Sequence, residues 1–203
     1  MNKVTEIFVG TKSPAHFARS YFSYLAELFK DISEQEVGQF IEIIIEAREA
    51  GRKIFFMGNG GSAATADHFV NDISIGTRTT GKPFKAYSLS SNGAVITALG
   101  NDNGYEDIFV KQLEALMDKG DVVVAISASG NSPNVVKAIR YANDKGAITV
   151  GLTGFDGGKL RELAQFKVHV PTSKGEYGPV EDAHMIFDHI LGNYLLHYCK
   201  KND

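Results

Sequence analysis

Short apolar runs, separated by stretches of helical period, organise most of the chain. Lys53–Met57, Lys85–Leu89, Asp121–Ile126, Ala147–Leu152 and Lys167–Val170 predict five strands. IFFM, VVVAI and ITVGL are continuous rather than alternating, which is the pattern of parallel strands buried on both faces. Ser62–Ile73, Tyr105–Met117, Pro133–Asp144 and Gly158–Ala164 read as helices between them, so the alternation implies βαβ crossovers. Two helices precede the first strand. Over Ala15–Lys30 the residues Phe17, Tyr21, Leu25 and Phe29 share a face; after Asp31, Ser33 and Glu36 have capping-box spacing and Val37, Phe40, Ile41, Ile44 and Ile45 carry a stripe that Gly51 stops. Residues before Pro14 fit either an arm or a short helix. The last helix, Val180–Lys200, is the longest. Its residues Ala183, Phe187, Ile190 and Tyr194 form the expected core face, and Met185, His189, Gly192 and Leu196 make a second stripe that predicts contact with a neighbouring subunit.

No linker or repeat interrupts this pattern, so a single domain over 1–203 is expected, with a helical segment at 1–51 and an α/β core at 52–203. The 21 basic and 24 acidic residues leave a net charge of −3, which argues against nucleic-acid binding through bulk positive charge. The lone Cys199 excludes an intrachain disulfide and fits a reducing compartment. With no secretory pattern and no apolar run near the ~20 residues of a membrane span, a cytoplasmic protein without membrane contact is expected.

Two loops carry the candidate chemistry. The first strand runs through Gly58-Asn59-Gly60-Gly61-Ser62 into a helix, and the third through Ser127-Ala128-Ser129-Gly130-Asn131-Ser132 into another. Glycines permit close backbone approach, and helix N-termini offer unpaired N–H groups to an anion. Neither loop has a Walker Lys-Ser/Thr pair or GxGxxG order, so a small phosphorylated metabolite is favoured over a nucleotide.

GNGGSAATADHF, ALGNDNGYEDIF, ISASGNSPNVVKA and LTGFDGGKL, in that order, resemble the sugar isomerase (SIS) family and its phosphoheptose isomerase branch, over about Gly51 to His197. The resemblance implies a flavodoxin-like five-stranded parallel sheet, a homotetramer with active sites at subunit interfaces, and a substrate of the sedoheptulose 7-phosphate type. The reaction implied is aldose–ketose isomerisation to D-glycero-manno-heptose 7-phosphate, a step of heptose biosynthesis of the kind that supplies lipopolysaccharide. Substrate contacts carry over to Asn59, Gly60, Gly61, Ser62, Asp72, Asn101, Asp102, Ser127, Ala128, Ser129, Ser132 and Glu181. Ala128 stands where the family carries a threonine, so one hydroxyl is missing.

The family pattern also assigns Asp72 and His189 as the acid–base pair, and His68, Asp72, Glu181 and His189 as ligands of Zn2+ or another divalent ion. Asp72 replaces a glutamate and Glu181 a glutamine. From the residues alone, His68 and Asp72 share a helix face at i, i+4. Glu181 and His189, about 12 Å apart along one continuous helix, do not close a single site unless Glu181 precedes the helix or the two belong to different subunits. Glu181, His184 and Asp188, at i, i+3 and i+7, form a rival ligand stripe. His16, His169 and His197 show no partner pattern, and Arg78 is a further candidate for a substrate phosphate. Two other readings stay open. One is a non-catalytic SIS protein that binds a sugar phosphate or a partner, as in replication-initiator-associating relatives that share the SAA-x-A-x-HF run at Ser62–Phe69. The other is an isomerase of a different sugar phosphate, since Lys174–Pro179 lacks the polar residues of heptose recognition.

Overall fold

The computed structural model describes residues 1–203. Strands β1 (Lys53–Gly58), β2 (Lys85–Ser88), β3 (Val122–Ser127), β4 (Ile148–Thr153) and β5 (Phe166–His169) agree with the expected runs to a residue at each end. They pair in parallel in the order β2-β1-β3-β4-β5. Along β1, Ile54 and Phe56 enter one core with Phe40, Phe69 and Phe187, while Phe55 and Met57 enter another with Leu113, Ile139 and Leu160. Burial on both sides is why β1, β3 and β4 lack alternation, whereas the edge strands β2 and β5 are partly exposed.

The N-terminal segment holds three helices, α1 (Lys3–Gly10), α2 (Pro14–Leu28) and α3 (Glu34–Glu49), so the opening residues are helical rather than an arm. Ser33 caps α3 by accepting from the Glu36 N–H at 3.2 Å, but Glu36 does not complete a capping box. Its carboxylate accepts instead from the His169 N–H at 3.1 Å, tying α3 to β5.

Helix α4 (Gly61–Asn71) follows β1 and continues into a π-helical turn, Asp72–Gly76. Helix α5 (Gly93–Asp102) is absent from the sequence expectation; none of its residues is buried, so it shows no strong apolar stripe. The expected Tyr105–Met117 helix divides into a 3-10 turn, Tyr105–Asp107, and α6 (Val110–Leu116). Helices α7 (Pro133–Asp144) and α8 (Gly158–Leu163) match expectation, and α9 (Tyr177–Asn202) starts three residues early. No helix is long and apolar enough to cross a membrane.

The faces of α9 differ from the expected ones. Val180, Ala183, His184, Phe187, Asp188, Leu191 and Leu195 are buried, whereas Ile190 and Tyr194 are exposed beside Ile186. Of the second stripe, His189 is exposed, Gly192 is buried, and Met185 and Leu196 are half-buried. The helix is pinned at its start by Glu176, whose carboxylate accepts from Tyr24 Oη at 2.7 Å, Ser173 N at 3.0 Å and Val4 N at 3.1 Å.

His184 is fully buried and neither ring nitrogen has a hydrogen-bond partner. Burial lowers its pKa to about 4, with the Thr153 backbone pulling weakly the other way. The unfolded chain therefore takes up a proton below the usual value of 6.5 that the folded chain refuses, so this contribution to stability is lost as pH falls from 6.5 to 4. Urea unfolding of chelator-treated protein should show wild type losing about 3 kcal/mol more than His184→Leu between pH 7 and pH 4. Parallel pH curves would show that the folded state protonates this ring freely.

Candidate active site

Parallel strands deliver their carboxyl ends to one edge of the sheet. Because β1 lies between β2 and β3, the loops after β1 and β3 diverge to opposite sides at a topological switch point, where α/β sheets bind ligands. Gly60, with φ +54 and ψ −123, makes the turn into α4 in a conformation that other residues avoid. In the second loop Gly130 has φ +62, and a Cβ there would come within 1.8 Å of the Gly157 carbonyl oxygen.

The two loops enclose a pocket of about 190 Å3. Asn59 and Ser62 line it from the first loop, Ser127, Ala128, Ser129 and Ser132 from the second, and Tyr177 and Glu181 from α9. A wider hollow among Phe8, Val9, Pro14 and Phe17 holds no titratable group and none of the candidate residues. Ser127 and Ser132 hydroxyls lie 3.2 Å apart. Ser132 is the N-cap of α7 yet makes no capping hydrogen bond, which leaves its hydroxyl and the first helical N–H groups available to an anion. Asn59 is fixed by reciprocal amide hydrogen bonds with the buried Asn134, each 2.9 Å, and its Oδ1 also accepts from Tyr105 Oη at 2.9 Å.

A second cluster lies where α4 meets α9. His68 Nε2 is 3.6 Å from Asp72 Oδ1 and 3.8 Å from Asp188 Oδ2, and the His68 and His189 rings meet edge to face with centroids 5.2 Å apart. One donor atom from each of His68, Asp72, Asp188 and His189 falls within 4.8 Å of all the others. Asn71 Nδ2 donates to Asp72 Oδ1 at 2.9 Å. Asp188 is wholly buried with both oxygens unpartnered, and burial, then the Asp72 charge, pushes its pKa up to about 7. Two imidazoles and two carboxylates are donors that suit Zn2+ or a similar divalent ion, so this chemistry fits the implied metal.

Several expected site residues fall elsewhere. Glu181 is not in the cluster: it stands on the continuous helix α9, with its carboxylate against Gly61, where a Cβ would approach it to 2.7 Å. The possibility that Glu181 precedes the helix is therefore removed. Asn101 and Asp102 bond to each other at the exposed end of α5 and do not line the pocket. Arg78 is exposed after the π turn and also lies outside the lining. His184 faces the core, so the rival stripe Glu181, His184, Asp188 does not converge. His169 bonds Thr153 Oγ1 at 3.0 Å, and His16 accepts from Lys12 N at 3.3 Å.

The SIS domain family matches residues 20–154. A phosphoheptose isomerase from Aliarcobacter butzleri is 40% identical over 160 residues, covering 77% of this chain and 84% of that protein. This chain belongs to the phosphoheptose isomerase branch of the SIS family. Another member, from Helicobacter pylori, is 38% identical over 170 residues, covering 83% of this chain and 88% of its own length. The solved phosphoheptose isomerase of Neisseria gonorrhoeae superposes with a TM-score of 0.77 at 33% identity, over 89% of this chain and 95% of that one. That of Francisella tularensis gives 0.81 at 26% identity, over 91% and 98%.

Within this family frame, three site residues had gone unremarked or been misplaced by sequence reasoning. Asn134 sits one residue past the Ser132-Pro133 helix start, where a buried amide mate for Asn59 has no periodic signature. Tyr177 enters the pocket because α9 starts early. Asp188 was placed by its spacing with Glu181 and His184, whereas it meets His68, Asp72 and His189 across the helix crossing. Replacing Asn134 with Leu should cost about 1–3 kcal/mol, since Asn59 then keeps an unpaired amide. An unchanged urea midpoint would show that the amide pair does not support the loop.

Proposed function

We propose that this chain is an aldose–ketose isomerase that interconverts sedoheptulose 7-phosphate and D-glycero-manno-heptose 7-phosphate. The observation that carries this reading is a hydroxyl-lined, anion-accepting pocket and a His–Asp–His cluster joined by one helix, in a member of the phosphoheptose isomerase branch. Glu181 in the pocket and His189 in the cluster are eight residues apart on α9, about 12 Å along its axis. An extended seven-carbon phosphate is of similar length, roughly 10 Å from C–C bonds of about 1.5 Å.

The phosphate would take hydrogen bonds from Ser127, Ser129 and Ser132 and from the first N–H groups of α7. Glu181 repels that dianion, so its carboxylate would accept from sugar hydroxyls and keep the phosphate at the serine end. In the ketose-to-aldose direction, the Asp72 carboxylate would take the proton from C1 while the remaining N–H of the His189 ring gives one to the C2 oxygen, forming the enediol. Return of the carbon-bound proton to C2, with loss of the C1 hydroxyl proton to the imidazole, leaves the aldehyde. Each transfer needs hydrogen-bond reach at the moment of reaction. His68, Asp72 and His189 would hold a divalent ion, Zn2+ by ligand type, which when bound supplies Lewis-acid polarisation at the C1 and C2 oxygens.

A homotetramer is part of this proposal. Exposed Ile186, Ile190 and Tyr194 on α9 and exposed Ile75 after α4 support contact with neighbouring subunits, and Asn101 and Asp102 would reach a substrate only from such a neighbour. The buried, unpaired Cys199 suits a reducing cytoplasm. Sedimentation equilibrium should give a stable oligomer; a monomer at micromolar concentration would overturn the shared-site arrangement.

The direct assay follows sedoheptulose 7-phosphate and its C5 and C6 ketose analogues with the metal-supplemented protein. Turnover should be greatest with the C7 substrate. His189→Ala should lower kcat by about 10²–10⁴, the usual range for loss of a general acid–base group. Ser132→Ala should act mainly on KM. Turnover in His189→Ala equal to wild type would refute the assigned chemistry, and preference for a shorter ketose would redirect the substrate.

A further inference from the structure

Asp188 is the least explained charged group in the molecule. Its neighbours on the inner face of α9 are Phe187, Leu191 and Leu195, and a residue needed only for packing there would be apolar. Instead a carboxylate is held at 0% exposure with neither oxygen hydrogen-bonded. No Lys or Arg pairs with it; the ionisable groups that face it are His68 and Asp72 across the helix crossing and His189 beside it. Buried carboxylates are retained when they are paired or when they coordinate a metal.

We propose that Asp188 is a metal ligand, and that His68, Asp72, Asp188 and His189 of a single chain hold the divalent ion while Glu181 serves the substrate pocket. Charge favours this set: two carboxylates and two neutral imidazoles sum to −2, which a dication cancels. Geometry favours it as well. Zn2+ bonds of about 2.0–2.2 Å in a tetrahedron place ligand atoms about 3.4 Å apart. The His68–Asp72 and His68–Asp188 separations, 3.6 and 3.8 Å, are already close to that value. The four donors lie within 4.8 Å of one another, so small side-chain rotations complete the closure. Gly192, one turn beyond Asp188, leaves room for Asp72, whose Oδ2 lies 3.4 Å from the point a Cβ would occupy. Glu181, about two helical turns back along α9, has its carboxylate at Gly61. What the ion does in the reaction rests on the isomerase reading; that this set binds it does not.

The test titrates chelator-stripped, full-length protein with Zn2+ in competition with a chromophoric chelator, for wild type, Asp188→Asn, Asp188→Leu and Glu181→Ala. Wild type should bind about one ion per chain. Both Asp188 variants should weaken binding by at least tenfold, a loss no smaller than that seen when a group merely orienting a ligand is removed. Glu181→Ala should bind within about twofold of wild type. Thermal unfolding supplies a readout that misfolding does not mimic. Without metal, Asp188→Leu should melt at or above wild type because a buried unpaired charge is gone, and Zn2+ should raise the melting temperature of wild type far more than that of the variant. Wild-type affinity in both Asp188 variants, or loss of the ion in Glu181→Ala, would overturn the assignment. Zn2+ binding that depends on Asp188 in a protein inactive on every ketose phosphate would sustain this site and refute the isomerase. Turnover with Asp188-independent binding would do the reverse.

Discussion

The parallel pairing of β1 with β3 is the constraint from which the site follows. Their register, Ile54 with Val122 through Gly58 with Ile126, releases Asn59 and Ser127 from the sheet side by side. Each strand's continuation then turns into a helix, α4 or α7, and Ser62 and Ser132 at those helix starts line the same pocket. An antiparallel pair would send one of those helix starts to the opposite edge. The Asn59–Asn134 amide pair joins the loops across this gap, so the pocket wall is built from two strands' continuations rather than from one flexible loop.

The second half of the site depends on how α9 covers α4. Apolar contacts of Phe187, Leu191 and Leu195 fix its rotation in the core, and Glu176 and the Tyr21–Asp182 hydrogen bond, 2.7 Å, fix where it starts. With position and rotation both set, His189 must face His68, and Asp188 must point into the crossing. The cost is a carboxylate and an imidazole, Asp188 and His184, buried without hydrogen-bond partners on one helix. Packing around them, chiefly aromatic and branched aliphatic, bears that cost. The two groups respond to pH in opposite senses: burial favours the proton on Asp188 and disfavours it on His184.

Legibility of the fold followed burial. Strands β1, β3 and β4 were readable because both faces are buried, the edge strands β2 and β5 as short runs between helical segments, and α3, α4 and α7 because each has one buried stripe and a clear start. Helix α5 was not, since only Ile96 and Leu99 lean on the core, half-buried, and two positions are too few to set a period. Helix α9 was readable in extent but not in orientation. It is apolar almost all round, so Ile190 and Tyr194 looked like core, while the residues actually turned inward include His184 and Asp188. In the site, the two loops and the His68, Asp72, His189 set were visible as motifs. Asp188 was visible only as part of a stripe with Glu181, because sequence spacing does not say which helix faces which.

The position of Glu181 gives a physical reason for the lack of Lys or Arg in the proposed phosphate pocket. A cation among Ser127, Ser129 and Ser132 would lie in the same small pocket as the Glu181 carboxylate and would pair with it. That pairing would draw the carboxylate away from its place against Gly61 and fill the space the anion needs. Hydroxyls and helix N–H groups avoid this, because they are fixed by the backbone and too weakly charged to capture a carboxylate through space. The pocket thus holds an anion-accepting end and an acidic wall together without collapse. A net charge of −3 is then no obstacle to the proposed binding, since the local field is set by the α4 and α7 N-termini, where Ser62 and Ser132 line the pocket.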